Sequence, residues 1–275
     1  MRFAAGLALA LLAGCGAPEP MARHGSDQPT IVSLNPCTDA ILAEVAAPGQ
    51  LLAISHYSHD PAATSMELTQ ARRFRATGGT VEEVLALDPD VVVAGSFLAP
   101  ASRAAFERLG IEIVTFGIAN DVDASIDQVQ QIAGIVGNAA AGEALVARIN
   151  AALDAAQHGG ASAPALVWQS GGIVPGENTL IADLLARTGF THFAASRGLG
   201  QADRMPLEQV LADPPRVILA AGNSDKGEDP MLAHPALAGL AETDVERFDP
   251  SLLYCGGPTI IRAAERLAEI REEVS

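Results

Sequence analysis

Val81-Glu82-Glu83-Val84-Leu85-Ala86-Leu87-Asp88-Pro89-Asp90-Val91-Val92-Val93-Ala94-Gly95 reads as a short helix opening on acids, a proline break and a buried β-branched strand. The same order returns 126 residues later as Leu207-Glu208-Gln209-Val210-Leu211-Ala212-Asp213-Pro214-Pro215-Arg216-Val217-Ile218-Leu219-Ala220-Ala221. In each copy an acid, Glu82 or Glu208, sits at the helix start, where the positive end of the helix dipole favours a carboxylate. Thr80 and Glu83 have the spacing of a capping box. Units of this kind recur in many α/β chains. One copy on each side of a long helical stretch predicts two similar lobes.

Outward from the first copy, strands alternate with helices. Strands are predicted at 31–34, 51–55, 91–94 and 112–116, with helices at 38–46, 81–87 and 102–109. That alternation predicts a parallel sheet covered on both faces. From 125 to 157 there is no strand signal, only helix formers interrupted at Gly137-Asn138. Alternation then resumes with strands at 166–168 and 217–219, helices at 180–187 and 206–211, and a C-terminal helix over 260–273. Ligands of open parallel sheets sit beyond the carboxyl ends of the strands. Those ends carry Asn35-Pro36-Cys37, His56-Tyr57-Ser58, Gly95-Ser96-Phe97, Phe116-Gly117 and Ser170-Gly171-Gly172. Two such edges facing one another make a cleft.

The N-terminus has a different chemistry. Arg2 precedes an apolar run of 11 residues, Phe3 to Ala13. Crossing a bilayer takes about 20 apolar residues, so the run fits the core of an export signal rather than an anchor. It ends in Leu12-Ala13-Gly14-Cys15, which looks like a bacterial lipobox with Cys15 as the lipidated thiol. Gly16 in place of Asp after that cysteine is similar to sequences sorted to the outer membrane. Residues 15–29, rich in Gly, Pro, Ser and charge, read as a flexible tether.

The chain carries a formal charge of −16, from 33 acids against 17 bases. An acidic surface repels phosphate backbones and anionic lipid, which excludes nucleic-acid partners and leaves the lipid as the membrane contact. Aromatics are only 4% of the residues, so Tyr57 and Phe97 in loops stand out. The chain has no P-loop, G-x-G-x-x-G, G-x-S-x-G or H-E-x-x-H. The remaining metal signal is His56-x-x-His59 with Cys37 or Cys255 as a third ligand, the basis of an alternative metal-handling or chelatase-like enzyme.

With Cys15 acylated, Cys37 and Cys255 remain. Cys37 starts a helix, where the dipole lowers a thiol pKa. Cys255 precedes Gly256-Gly257-Pro258, a turn that opens the last helix and lets backbone approach a ligand closely. Both are expected at the cleft, one from each lobe. Three states are open: two buried thiols, a shared metal or ligand contact, and a disulfide. Simple burial ranks first, because free Cys is among the most buried residue types, and the disulfide last.

Taken together these stretches resemble the helical-backbone class of ABC-importer substrate-binding proteins, which carry vitamin B12, ferric siderophores or haem. The resemblance covers residues 30 to 275. It rests on the opening Ile31 to Asp39, the block Glu82 to Val93, its second copy Glu208 to Leu219 and the ending Cys255-Gly256-Gly257-Pro258. Pro215-Arg216 departs from the usual Pro-Asp of the second block. The resemblance implies an α/β fold of two Rossmann-like lobes, 30–122 and 161–275, with mostly parallel sheets. The 123–160 segment between them contains a long rigid connecting helix, and closure on binding is modest.

Further implications follow from the same resemblance. The chain is a monomer, without enzymatic activity, resident cofactor or metal site. It is a periplasmic lipoprotein that delivers a metal-chelate ligand to a permease dimer with its ATPase. Glu82 and Glu208 dock on permease arginines. The ligand-contacting set is Asn35, Pro36, Cys37, His56, Tyr57, Ser96, Phe97, Ser170, Gly171 and Cys255. The loop Ser55 to Pro61 is similar to that of B12-binding members, in which a tyrosine at the place of Tyr57 packs on the corrin, so a cobalamin-type corrinoid is favoured. A ferric siderophore or haem is the alternative. Anionic siderophores favour basic clefts, and Arg72, Arg73 and Arg75 are the candidate patch.

Overall fold

Side chains that cap helices set out most of the architecture. Asn35 is extended and its carboxamide accepts from the Cys37 and Thr38 amides, so with Pro36 at the first helical position it starts α1 (Pro36–Val45) directly after β1 (Ile31–Ser33). A computed structural model of the chain describes residues 28–222, 232 and 234–274. Residues 1–27, with the export signal, Cys15 and nearly all of the tether, lie outside the described residues.

The chain continues through β2 (Leu51–Ser55), α2 (Leu68–Ala71), β3 (Ala76–Thr77), α3 (Val81–Leu85), β4 (Val91–Gly95), α4 (Pro100–Arg108) and β5 (Glu112–Phe116). These five strands form a parallel sheet in the order β3-β2-β1-β4-β5. Two long helices follow, α5 (Val122–Ile135) capped by Asp121 and α6 (Ala139–Ala155) capped by Asn138. Gly137, at φ 68°, supplies the left-handed turn between them. The helices cross closely, since a Cβ on Gly142 of α6 would lie 2.5 Å from that of Ala133 on α5.

The second half runs β6 (Ala163–Trp168), β7 (Ile173–Val174), α7 (Leu180–Arg187), β8 (Phe190–His192), β9 (Asp203–Arg204), α8 (Leu207–Ala212), β10 (Val217–Ala220), α9 (Pro235–Ala238), β11 (Asp244–Arg247) and α10 (Thr259–Glu273). Four of its strands form a second parallel sheet, β11-β10-β6-β8, and β7 pairs antiparallel with β9. The two sheets share one winding. β6, β8, β10 and β11 stand where β1, β2, β4 and β5 stand in the first, and β3 is an added edge. The sequence echo therefore occupies equivalent places, α3–β4 in one sheet and α8–β10 in the other.

Alternate residues of the central strands serve different cores. Val32, Ala53 and Val92 pack outward with Val84 and Phe106 from α3 and α4. Leu166, Trp168 and Ile218 pack outward in the second half with Phe193, Met205 and Val210. Ile31, Val91 and Val93 face inward, as do Val167, Val217 and Leu219, and α5, α6, α7 and α10 fill the space between. Both sheets thus share one continuous apolar core. The fully buried Trp168 belongs to the outer core and has no access to a cleft.

Several short elements escaped the sequence reading: α2, β3, β8, β11, α9 and the antiparallel β7–β9 pair. Each has two to four residues, too few to show a period. The helix expected from Pro206 begins one residue later, with Pro206 as its extended cap.

Candidate functional site

The carboxyl ends of both sheets meet in a cleft tied together by side chains and by one covalent bond. Cys37, at the start of α1, is joined to Cys255, just before α10, in a disulfide with Cα atoms 5.0 Å apart. The expectation of free thiols is corrected here, and with it the order that placed the disulfide last. The reason lies in tertiary packing, because the Gly256-Gly257 turn presses directly on α1 and α5. A Cβ on Gly256 would come within 2.1 Å of Ser125 Oγ, and one on Gly257 within 2.5 Å of Ile41 Cγ1. The Gly257 amide donates to Ser125 Oγ at 2.7 Å. The glycines thus admit helices α1 and α5 rather than a ligand, and that approach brings the two sulfurs into bonding range.

Polar contacts add to the tie. Thr259 donates its hydroxyl to the Ser65 carbonyl at 3.0 Å, and Arg262 reaches Glu67 at 3.3 Å. Gln201 Nε2 donates across the cleft to Asn120 Oδ1 at 3.2 Å. Tyr254, next to the disulfide, donates its phenol to Gln169 Oε1 at 2.6 Å.

Four large apolar side chains stand exposed on loops at this end: Phe97 (84% exposed) after β4, Ile118 (62%) after β5, Tyr57 (53%) after β2 and Tyr254 (61%) before α10. Solvent-exposed aromatics in a chain so poor in them mark a surface suited to a ligand. The Tyr57 ring lies 4.1 Å from that of His56, and Ser96 is exposed beside Phe97. Ser170 and Gly171 form an exposed 3-10 turn after β6, where the Gly171 carbonyl accepts from Arg204 Nη1 at 2.6 Å. Asn35 and Pro36 start α1 beside the disulfide, with the Asn35 carboxamide already engaged as the helix cap.

The turn carrying Tyr57 is held from below by a buried carboxyl that the sequence did not single out. Asp39 Oδ2 accepts from the Ser55 amide at 2.9 Å and from Ser58 Oγ at 2.6 Å. Complete burial pushes its pKa from 3.8 up to about 8, although these hydrogen bonds pull the other way. At neutral pH Asp39 is a neutral acid that fixes the loop.

The proposed metal set of His56, His59 and a cysteine is also corrected. His56 Nδ1 lies against the Thr77 carbonyl at 3.3 Å, and His59 Nε2 donates to the Ala71 carbonyl at 3.1 Å. Both sulfurs are consumed in the disulfide and cannot act as thiolate ligands. Among the described residues no cluster of three or more metal-binding side chains occurs. Arg72, Arg73 and Arg75 lie exposed between α2 and β3. A cavity of about 260 Å³ opens between the lobes beside Tyr254, Gln169 and Ile118. None of those three was in the candidate set, and the exposed Tyr254 next to a cleft cysteine was the available signal.

The comparisons with known proteins agree with this geometry. The family model described as "Periplasmic binding protein" matches residues 31–242. A protein named cobalamin-binding protein from Halobacterium salinarum is 23% identical over 244 residues, covering 78% of this chain and 66% of that one. The chain thus spans just under two thirds of that relative's length. Among solved structures, the periplasmic haem-binding protein HutB of Vibrio cholerae superposes with a TM-score of 0.71 at 18% identity, covering 90% of this chain and 99% of that one. The apo haem-binding protein RhuT of Roseiflexus gives 0.68 at 21%, over 90% and 99%. The vitamin B12-binding protein BtuF of Vibrio cholerae gives 0.67 at 17%, over 89% and 97%. Identities this low speak for the fold alone, and the family match spans more than half of the chain. With its two equivalently wound parallel sheets and the cleft between their carboxyl ends, the protein belongs to the periplasmic binding protein family.

Proposed function

We propose that the protein captures a metal-chelate ligand outside the cytoplasm, a cobalamin-type corrinoid, and hands it to an ABC importer permease dimer with its ATPase. The observation that carries this reading is the cleft itself. Exposed Tyr57 and Phe97 from one lobe and Tyr254 from the other stand at the carboxyl ends of two parallel sheets. Broad apolar rings that flank a cleft suit a flat macrocycle, which offers large faces for stacking and edge contact. Asn35, Pro36, Ser96, Ser170 and Gly171 complete the contacts, with the Cys37–Cys255 disulfide as part of the cleft wall.

Binding and release, not chemical conversion, is the activity. Glu82 and Glu208, exposed in the first turns of α3 and α8, dock on permease arginines. The support is their equivalent placement in the two sheets, which matches a partner built of two like halves. Lobe limits of 30–122 and 161–275, with 123–160 between, are part of the same reading. So are the monomer and the lipid on Cys15 that holds the protein in the periplasm, at the outer membrane.

Isothermal calorimetry of the soluble form from residue 28 onward tests the ligand. Saturable heat with cobalamin or cobinamide is expected, with a loss of at least tenfold in affinity on Tyr57→Ala. No heat with either, together with saturable binding of a ferric siderophore, overturns the assignment. A second reading is haem, for which an axial Tyr or His is the protein's lever. The exposed phenol of Tyr57 and the neighbouring imidazole of His56 favour it, and a Soret shift on adding hemin would reveal it.

A further inference from the structure

The 260 Å³ cavity beside Tyr254 is too small for a macrocycle, since pockets that enclose drug-sized ligands run to roughly 300–1,000 Å³. A ligand as large as a macrocycle would enter it only with an appendage. The cavity's apolar lining includes Ile118, Pro175, Leu180, Ile181 and Leu253. Its polar lining includes three carboxamides, from Asn120, Gln169 and Gln201, and the Tyr254 phenol. Among the described residues none that lines it carries a charge.

The hydrogen bonds within the wall leave a specific remainder. Gln201 Nε2 is used by Asn120 Oδ1 and the Asn178 carbonyl, at 3.2 and 2.9 Å. Gln169 Oε1 is used by the Tyr254 phenol at 2.6 Å. Two amide donors, Asn120 Nδ2 and Gln169 Nε2, and one acceptor, Gln201 Oε1, remain without partners among the described residues. A carboxamide brings one acceptor and two donors, and satisfies both kinds at once. A carboxylate brings acceptors only. It would leave Gln201 Oε1 facing another oxygen and would enter an apolar site with no cation, in a chain of net charge −16.

We infer that this cavity is a neutral subsite that reads an uncharged carboxamide arm of the ligand and rejects the corresponding carboxylate. The inference rests on the corrinoid reading above, because corrinoids carry such amides around the ring, whereas haem carries carboxylates. It makes the cavity a selector between macrocycles of similar size.

The test uses cobinamide and cobyrinic acid, the same macrocycle with carboxylates in place of amides, on the soluble protein. Titrations in about 0.5 M salt screen long-range repulsion. The wild type is expected to prefer cobinamide at least tenfold. Gln169→Lys and, separately, Gln201→Lys place a cation in the wall and should narrow that preference at least fivefold. Tyr57→Ala, outside the cavity, should weaken both ligands and keep their ratio. Equal affinities for the two compounds, or a ratio unmoved in both lysine variants, overturn the subsite while leaving corrinoid binding in place. Failure of every corrinoid to bind overturns the ligand reading and the subsite together.

Discussion

At the scale of single residues, two buried titratable groups give the protein opposing pH dependences. The Asp39 pKa is raised by burial from 3.8 to about 8. The folded chain therefore keeps a proton that the unfolded chain has lost, and stability falls as pH rises from about 4 towards 8. The His192 pKa is lowered by burial from 6.5 to about 4. Here the unfolded chain gains a proton that the folded chain refuses, so stability falls as pH drops from 6.5 towards 4. Between about 4 and 6.5 the two slopes oppose. In Asp39→Asn the alkaline decline should vanish, with a relative gain of more than about 1 kcal/mol at pH 8 against pH 5 in chemical denaturation. Corrinoid affinity should persist in that variant, because an amide oxygen still accepts from Ser55 and Ser58. In Asp39→Ala the turn that carries Tyr57 loses its hold, and affinity should drop several-fold. A decline from pH 5 to 8 that survives in Asp39→Asn would remove the linkage assigned to this group. The helix expected from 38 begins two residues earlier, at Pro36 behind the Asn35 cap, a signal that acts over only three residues. Nothing so local could reveal that Asp39 is enclosed by the strand and turn at Ser55 to Ser58.

At the scale of elements, the repeat quoted at the outset had most of its meaning in one dimension. A short helix, a proline break and a β-branched strand are local signals, and α3–β4 and α8–β10 follow them closely. The structure adds their equivalent positions in the two sheets. That equivalence argues for Glu82 and Glu208 as a matched pair presented to one partner. Glu83, one residue on, is differently employed. Its carboxylate accepts from Thr77 Oγ1 at 3.0 Å, which holds its pKa below the usual value, so it braces the loop from β3 into α3. Glu82→Ala and Glu208→Ala should each leave ligand affinity within about twofold and reduce uptake at least tenfold in cells that depend on the importer. Charge pairs at such surfaces set encounter and register more than folding. A tenfold loss of ligand affinity in either variant would instead place that acid in the cleft. Edge strands β3, β8 and β11 stayed hidden for the converse reason, since two to four residues become a strand only when a neighbour pairs with them.

At the scale of the whole molecule, one continuous core and one disulfide hold the lobes. The inward faces of both sheets and helices α5, α6, α7 and α10 share that core, so opening the cleft widely would expose apolar surface. The disulfide closes a loop spanning 218 residues. Cross-links of long loops typically stabilise by ~2–4 kcal/mol, chiefly through the unfolded chain. Cys37→Ser combined with Cys255→Ser should therefore lower Tm by roughly 5–15 °C. Ligand affinity should stay within about threefold, because the shared core and the Gly256-Gly257 contact still set the cleft. Scattering that shows widely separated lobes in the double variant would mean that the covalent tie, not the core, sets the cleft.

What the sequence by itself determined was everything carried by short-range pattern: the alternation of strands and helices, the long helical interruption, the twofold repeat, and the family to which these belong. Its formal charge of −16 also weighs against partners rich in phosphate. Only the tertiary structure decided which distant groups meet. Cys37 and Cys255 are bonded because two glycines let α10 press on α1 and α5. The neutral cavity exists because Asn120, Gln169, Gln201 and Tyr254, from four separate loops, converge across the cleft. Local propensity acts over a few residues along the chain. Pairing, burial and the pKa of an enclosed acid depend on what packs from the other side.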